Sequence, residues 1–271
     1  MARFRLFLEY DGTRYSGWQI QKNARTIQGE LIRVMRDVFK TPDIELQGAG
    51  RTDAGVHANG QVAHLEVQTM LAPEIIRMKV NDLLPPDINI IDVEKARPDF
   101  HARHDAIERR YVYRISRRRT AFGKRFVWWV KDPLDVNAMR KAAAHCTGMK
   151  DWRAFTDADP EETSTTALIS SLTIDEDRET ITIRIAGSHF LWKLVRRIVG
   201  VLVEVGRGAL PVENVEGIFS DQTDYIAHHT APPSGLFLDS VLYQEDHRNA
   251  PPPAHRPRKN HHPERKHHRG R

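Results

Sequence analysis

The sequence predicts an α+β fold of two sandwiched halves, whose mixed and mostly antiparallel sheets meet at a central cleft. Three observations predict it. Strand and helix patterns are mixed along the chain, in hairpins as well as in strand–helix–strand crossovers. The order of elements in the first half recurs in the second. The 271 residues, 40% hydrophobic and 28% charged, suffice for one large or two moderate globular domains.

In the first half, residues 1–105, each element is marked by its periodicity and its ends. Residues 3–9 alternate between polar and apolar as in a strand, and Asp11-Gly12 ends them as a turn. Thr26 suits the N-cap of a helix over residues 26–39, whose apolar side chains fall on one stripe. The half continues with a strand at 60–67, a helix at 72–84 that Pro85-Pro86 ends, and a strand at 88–93.

The second half, residues 106–246, repeats this plan. A strand at 106–116 opens it, and Asp135 caps a helix over 135–146 that contains the one cysteine, Cys146, which we predict to be a buried small hydrophobe. The remaining elements are a hairpin of strands 167–174 and 180–186, helices at 190–205 and 212–219, and a closing strand at 235–243.

The C-terminal segment, residues 247–271, is rich in Pro, His and Arg and has almost no apolar residues. We predict that it is disordered, because it cannot bury enough surface to fold, and that it adds weak affinity for phosphate. It holds eight of the 41 Lys and Arg residues and one of the 36 acids. The preceding 246 residues therefore carry a net charge of −2, although the whole chain carries +5. Any surface of the body that binds a polyanion must come from local clustering of cations.

The sequence also indicates a location. The N-terminus has no signal-peptide pattern, and no apolar run approaches the roughly 20 residues that span a bilayer. A single cysteine cannot form an internal disulfide. These features predict a cytoplasmic protein that does not bind membranes.

Four glycines, Gly48, Gly50, Gly55 and Gly60, crowd the segment around Asp53. One interpretation is a tight connection in which Asp53 binds its own loop amides. The other is an active-site loop, in which Arg51 keeps the carboxylate ionised and ready to act as nucleophile or base. The segment lacks the Gly and Lys pattern of a nucleotide-binding loop, and no spacing of His and acids indicates a catalytic metal.

Cations and aromatic residues alternate where the halves join. If residues 106–116 form a strand, Arg109, Tyr111 and Tyr113 share one face. Aromatic residues among cations favour binding of unpaired RNA, and Arg103, Arg109 and Arg110 are then the RNA-binding cations. A solvated charged face with two packed tyrosines explains the pattern equally well.

Arg196 lies beside the apolar stripe of the helix predicted at 190–205. A buried guanidinium needs a carboxylate partner, whereas a surface arginine needs none. The sequence alone leaves both alternatives open.

Taken together and in this order, the motifs of the chain from about residue 3 to 243 resemble the bacterial tRNA pseudouridine synthases of the TruA type. The most specific of them is Arg51-Thr52-Asp53-Ala54-Gly55-Val56-His57-Ala58. The others are Tyr10-Asp11-Gly12-Thr13, Gly17-Trp18-Gln19, Phe100-His101-Ala102-Arg103, Arg109-Arg110-Tyr111, Phe190-Leu191, Val195-Arg196, Pro232-Pro233 and Gly235-Leu236. The chain departs from the family pattern at Trp192, Lys193 and Leu194.

The resemblance implies isomerisation of uridine to pseudouridine in the anticodon stem-loop of tRNA, at positions 38–40, by a homodimer without cofactor, metal or protein partner. Asp53 matches the catalytic aspartate, which attacks a flipped-out nucleoside at its sugar or its base. Tyr111 would stack on the uracil and help move the proton from C5, and Arg196 would pair with Asp53. Leu236 would pack against the base, and Arg51 would help hold the flipped nucleotide.

Two other functions remain compatible with the residues. The basic and aromatic clusters alone would suit an RNA-binding protein or RNA chaperone without catalysis. A hydrolase or phosphotransferase could use Asp53 and His57, and would then depend on a divalent metal.

Overall fold

Ten strands form one sheet in the computed structural model, which describes residues 1–157, 159, 161, 163–220 and 224–244. The strands are β1 (Ala2–Tyr10), β2 (Glu45–Gly48), β3 (His57–Val67), β4 (Ile88–Lys95), β5 (Ala106–Ser116), β6 (Trp128–Trp129), β7 (Gly148–Asp151), β8 (Thr166–Glu176), β9 (Thr180–Gly187) and β10 (Leu236–Tyr243). The segment 247–271, predicted to be disordered, lies outside the described residues.

Neighbouring strands of the sheet follow the order β4-β1-β3-β10-β5-β9-β8-β7, while β2 pairs with β3 and β6 pairs with β5. The pairs β3–β10 and β5–β6 are parallel, and the other pairs are antiparallel. This confirms the predicted α+β class with its mostly antiparallel strands. Strands from both predicted halves lie in this one sheet; the boundary at residue 105 stays a prediction.

The strand β10 lies between β3 and β5 and so connects the strands of the two predicted halves. It pairs in parallel with β3 through Phe237 opposite His57. It pairs in antiparallel with β5, from Leu236 opposite Tyr113 to Tyr243 opposite Ala106. The last strand in sequence therefore lies at the centre of the sheet, between two strands that are distant from it along the chain.

The helices of the described residues are α1 (Ile27–Phe39), α2 (Pro73–Asn81), α3 (Val136–His145), α4 (Leu194–Gly206), α5 (Val215–Ile218) and α6 (Tyr225–His228). The Thr26 hydroxyl accepts a hydrogen bond from the Gly29 amide at the start of α1, as predicted. Asp135 caps α3 in the same way. Cys146, at the end of α3, is buried as predicted, and burial raises its pKa to about 12. No helix among the described ranges is both long and apolar enough to cross a membrane.

Helix α4 begins at Leu194, four residues later than the apolar pattern predicts. Lys193 has a left-handed conformation (φ 63°, ψ 0°), and the Leu194 amide donates to the Leu191 carbonyl at 3.1 Å. The side chains of residues 190–193 therefore do not continue the stripe of the helix. Every residue of α4 except Arg196 is buried. Arg196 is thus the one residue of α4 that is partly exposed.

Candidate active site

Asp53 lies in the connection between β2 and β3. The Val56 amide donates to the Asp53 carbonyl at 3.1 Å, and Gly55, the third residue of this turn, has a φ of +78°. A positive φ at this position is the signature of a type II turn, and glycine adopts it without strain. A Cβ at Gly55 would also lie 2.9 Å from Pro233. The predicted turn at Asp53 therefore exists, and it presses against the segment that leads into β10.

Hydrogen bonds to Trp18, Tyr10 and Gln61 hold the loop that carries Asp53. The Trp18 amide donates to the Thr52 carbonyl at 3.0 Å, and the Thr52 hydroxyl lies 2.8 Å from the Tyr10 phenol. The Gln61 side chain brackets Gly50, donating to its carbonyl at 2.9 Å and accepting from its amide at 3.3 Å. These contacts are buried or partly buried, so the backbone that carries Asp53 is held at several points.

Arg196 is the charge partner of Asp53. Its Nη1 lies 3.2 Å from Asp53 Oδ2, and its Nε donates to the Ala231 carbonyl at 2.7 Å. The two side chains are only 15% and 20% exposed, so this ion pair is poorly screened by water. Within the described part of the chain, no hydrogen bond engages Asp53 Oδ1. The carboxylate is thus oriented through one oxygen and open at the other.

Tyr111 lies on β5 beside this carboxylate and is 8% exposed. Burial raises the pKa of its phenol to about 12, and the negative charge of Asp53 acts in the same direction, against the positive charge of Arg109. The Phe190 ring meets it edge to face, with 4.9 Å between the ring centroids. The phenol is therefore neutral at physiological pH and fixed in place by an aromatic neighbour.

One pocket of about 820 Å³ contains these groups. Leu236, at the start of β10, forms part of its apolar wall, together with Tyr111 and Phe190. Its other walls come from both predicted halves of the chain, at residues 16–21, 49–56 and 189–196. The predicted central cleft is therefore present, with Asp53 inside it.

Cations outnumber acids in the described lining of this pocket. The lining holds five Lys and Arg residues and a single carboxylate, that of Asp53; the cations are Arg51, Arg103, Arg109, Lys193 and Arg196. Arg51 and Arg103 are exposed, and neither pairs with a carboxylate among the described residues. The pocket is thus positively charged although residues 1–246 carry a net charge of −2, which agrees with the predicted clustering.

Arg51 and Arg110 lie differently from what the sequence pattern suggested. No salt bridge joins Arg51 to Asp53 among the described residues, and Asp53 pairs with Arg196 instead. Arg110 is exposed and pairs with Glu108 at 2.8 Å, and it does not line the pocket. Side chains alternate along β5, so Arg110 points to the face opposite Tyr111 and lies outside the pocket. Its contact with RNA stays a prediction.

Arg109 is buried, and its guanidinium donates to backbone carbonyls of four residues. The acceptors are the carbonyls of Ala49 (3.1 Å), Ser188 (2.7 Å), Ala106 (3.2 Å) and Arg103. Three of these carbonyls belong to separate loops that lead into the pocket. Arg109 therefore ties the pocket walls together, and its predicted contact with RNA stays a prediction.

His57 is a core residue. Its Nδ1 accepts from the Gly12 amide at 3.1 Å, its Nε2 lies 3.0 Å from the Arg125 carbonyl, and its ring stacks on Phe237. Burial lowers its pKa, which keeps the ring neutral. It does not line the pocket, so the geometry gives no support to a hydrolase that uses Asp53 with His57.

Residues 189–193 belong to the pocket wall but were not predicted as site residues. The apolar pattern predicted a helix here, and a helix gave no reason to expect these side chains in a pocket. The one feature that could have indicated them is the Phe190-Leu191 motif, which by itself predicts only two packed side chains. The left-handed turn at Lys193, which brings Phe190 to Tyr111, leaves no mark in the periodicity of the sequence.

The chain is similar to known tRNA pseudouridine synthases over most of its length. A family model described as tRNA pseudouridine synthase matches residues 6–105 and 142–244. The tRNA pseudouridine synthase A of Myxococcus xanthus is 40% identical over 260 residues, which cover 95% of this chain and 96% of its own length. Those of Geobacter sulfurreducens (39%) and Thermoanaerobacter sp. strain X514 (37%) are similar over 245 residues, 90% of this chain and all of their own.

By class, the protein is accordingly an isomerase that acts on tRNA. The chain belongs to the tRNA pseudouridine synthase family.

Proposed function

We propose that this protein converts uridine to pseudouridine in the anticodon stem-loop of tRNA, at positions 38–40, with Asp53 as nucleophile and without a cofactor. The observation that carries the proposal is the Asp53–Arg196 pair, which leaves Oδ1 of the carboxylate open in the pocket beside Tyr111. Membership of the family supports isomerisation of tRNA uridine. The position within the tRNA rests on the resemblance of the motifs.

The chemistry needs a nucleophile and a route for one proton. The bond from C1′ of the ribose to N1 of uracil breaks, a bond from C1′ to C5 forms, and the proton on C5 is lost while N1 gains one. No net oxidation or hydrolysis occurs. An ionised carboxylate can attack the nucleoside, and the bond that it forms breaks again before the product is released. The buried phenol of Tyr111 is placed to pass the proton from C5. Arg196 orients the carboxylate throughout.

The target uridine must leave its stack before Asp53 can reach it. This flipping costs a few kcal/mol, which contacts in the pocket have to offset. We propose that Tyr111 and Leu236 pack on the two sides of the uracil, and that Arg51 and Arg103 bind phosphates beside it. The pocket volume of about 820 Å³ lies within the usual range for sites that enclose a ligand.

The test is conversion of unmodified tRNA transcripts, with pseudouridine mapped at single-nucleotide resolution. Asp53→Asn keeps the shape of the side chain but removes its charge. We expect it to lower kcat by several orders of magnitude, with tRNA affinity changing by less than about threefold. Asp43→Asn, an exposed carboxylate outside the pocket, is the matched control and should leave turnover unchanged. Substantial turnover by Asp53→Asn would remove Asp53 from the mechanism, and tight tRNA binding by the wild type without product would favour a binding protein.

The resemblance also supports a homodimer that acts in the cytoplasm. Sedimentation of the purified chain over a range of concentrations tests the first point, and a monomer at every concentration would exclude it.

A further inference from the structure

Trp192 is placed in an unusual position for a tryptophan. It follows Leu191 and precedes Lys193 and Leu194, and both leucines are buried while Trp192 is 54% exposed. The left-handed conformation of Lys193 explains why Trp192 is exposed between two buried leucines, because it turns the chain just before α4 begins. The indole therefore stands on the wall of the pocket that holds Asp53, facing solvent.

Contacts on either side fix this exposed ring. The Trp192 carbonyl accepts a hydrogen bond from the Thr156 hydroxyl at 3.1 Å. The ammonium of Lys193 lies 4.5 Å from the centroid of the indole and pairs with Asp157 at 2.7 Å. Asp157 also pairs with Arg197 of α4, which is buried. The indole is thus held by a chain of ion pairs anchored in the core, although most of its surface is free.

A large aromatic surface held in water has a cost, since burying such a ring against an apolar partner would be favourable. The lining of the same pocket includes Arg51 and Arg103, two exposed cations without carboxylate partners among the described residues. A pocket that carries both a fixed aromatic ring and unpaired cations suits single-stranded nucleic acid, with the ring stacking on a base and the cations binding phosphates.

We infer that Trp192 stacks on a base that neighbours the flipped uridine in the substrate RNA. This inference rests on the proposed function, and it assigns the ring to a second nucleotide because Tyr111 and Leu236 already flank the Asp53 end of the pocket. Flipping the uridine leaves the adjacent base without one stacking partner, and the indole replaces that partner. Trp192 then contributes to substrate affinity and to the choice of sequence around the target.

The experiment compares Trp192→Ala and Trp192→Phe with the wild type on unmodified tRNA transcripts. The matched control is Trp129→Ala, a tryptophan on β6 that is 42% exposed and lies outside the pocket. We expect Trp192→Ala to raise the Kd and the KM for tRNA roughly tenfold while kcat stays within about twofold, because one stacking contact is lost from binding. Trp192→Phe should recover most of the affinity, and Trp129→Ala should resemble the wild type.

A second measurement identifies the base. Transcripts carry an abasic nucleotide immediately 5′ or 3′ of the converted uridine, and Kd is measured with wild type and with Trp192→Ala. If the indole stacks there, one abasic site weakens binding to the wild type roughly tenfold and weakens binding to Trp192→Ala hardly at all.

Unchanged affinity of Trp192→Ala, or equal losses from both abasic sites in both proteins, would overturn the inference while leaving the proposed function intact. A wild type that binds tRNA but forms no pseudouridine would overturn the proposed function, and the Kd comparison would still decide whether Trp192 stacks on RNA.

Discussion

At the scale of single residues, Asp53 and Tyr111 have separate proposed roles, as nucleophile and as proton-transfer group. Asp53 is oriented by Arg196 through one oxygen. Tyr111 is buried beside it, and its pKa of about 12 keeps the phenol protonated over the physiological range. A neutral phenol can accept a proton at its oxygen while it gives up its own, but it does not act as a free phenolate base. Stacking and proton transfer can therefore be separated by mutation.

Tyr111→Phe removes the hydroxyl and keeps the ring. We expect kcat to fall by about two to four orders of magnitude, the usual contribution of an acid–base group, while the KM for tRNA changes little. Tyr111→Ala should lose both rate and affinity. Because the pKa is raised, the protonated form persists as pH rises and is lost only near pH 12. The kcat of the wild type between about pH 6 and about pH 10 should therefore show no ionisation that Tyr111→Phe abolishes; such an ionisation, or full activity of Tyr111→Phe, would contradict this role.

The sequence predicts residues of the site better than it predicts their partners. It predicted Asp53, Tyr111, Arg196 and Leu236 through motifs and the resemblance that they carry, and all four line one pocket. It did not predict that Arg109 would be occupied by carbonyls of Ala49, Arg103 and Ser188. Those carbonyls come from three segments that are remote from one another in sequence, and any residue type supplies a carbonyl. Such a convergence has no signature in residue identity.

At the scale of elements, α4 places the charge that orients Asp53. Arg196 lies in the first turn of the helix, and its Nε is held by the carbonyl of Ala231. The Ala231 amide in turn donates to the Arg196 carbonyl at 3.0 Å. The helix and the segment before β10 therefore position the guanidinium jointly, and close packing between them should matter for rate.

Gly200 tests this packing. A Cβ at Gly200 would lie 1.7 Å from the carbonyl oxygen of His229, two residues before Ala231, so the backbone there must move. We expect Gly200→Ala to lower the free energy of unfolding by about 1–3 kcal/mol and, through displacement of Ala231, to lower kcat at least tenfold. Chemical denaturation and turnover, both at a temperature where the variant is folded, provide the measurements.

The control for that variant is Gly217→Ala in α5, where no atom lies within 4 Å of the added Cβ. It should retain kcat and be as stable as the wild type or slightly more stable, because alanine favours the helix. Full turnover by Gly200→Ala would show that the segment around Ala231 does not set the position of Arg196.

Element boundaries show which parts of the fold are encoded locally. Caps such as Thr26 and Asp135 act on adjacent amides, and both were predicted. The start of α4 was predicted wrongly, because Asp157 and Thr156 hold residues 192 and 193 in a turn from a distant part of the chain. The short strands β2, β6 and β7 were missed, since two to four residues are too few to show a periodicity.

At the scale of the whole molecule, charge is distributed unevenly. Residues 1–246 carry a net charge of −2 while the pocket lining is positive, and all of the excess positive charge lies after residue 246. Local cations should therefore govern where RNA binds on the body. The basic segment, in contrast, should add affinity that does not depend on sequence.

Removal of residues 249–271 separates these contributions, because it deletes seven of the eight Lys and Arg residues that follow residue 246. We expect weaker tRNA binding and a shallower dependence of log Kd on log salt concentration, by about one unit of slope or more, since fewer counterions are released. Turnover at saturating tRNA should stay within about twofold of the full chain. Equal salt slopes for both proteins would show that the segment does not contact RNA.

The central position of β10 also sets an order of events during synthesis. The ribosome makes residues 236–243 after every other strand of the sheet, so β3 and β5 emerge without the strand that lies between them. Pairings between residues far apart in sequence form late in folding. A nascent chain that lacks β10 also lacks Leu236 in the pocket wall. We therefore expect that nascent chains without β10 are catalytically silent.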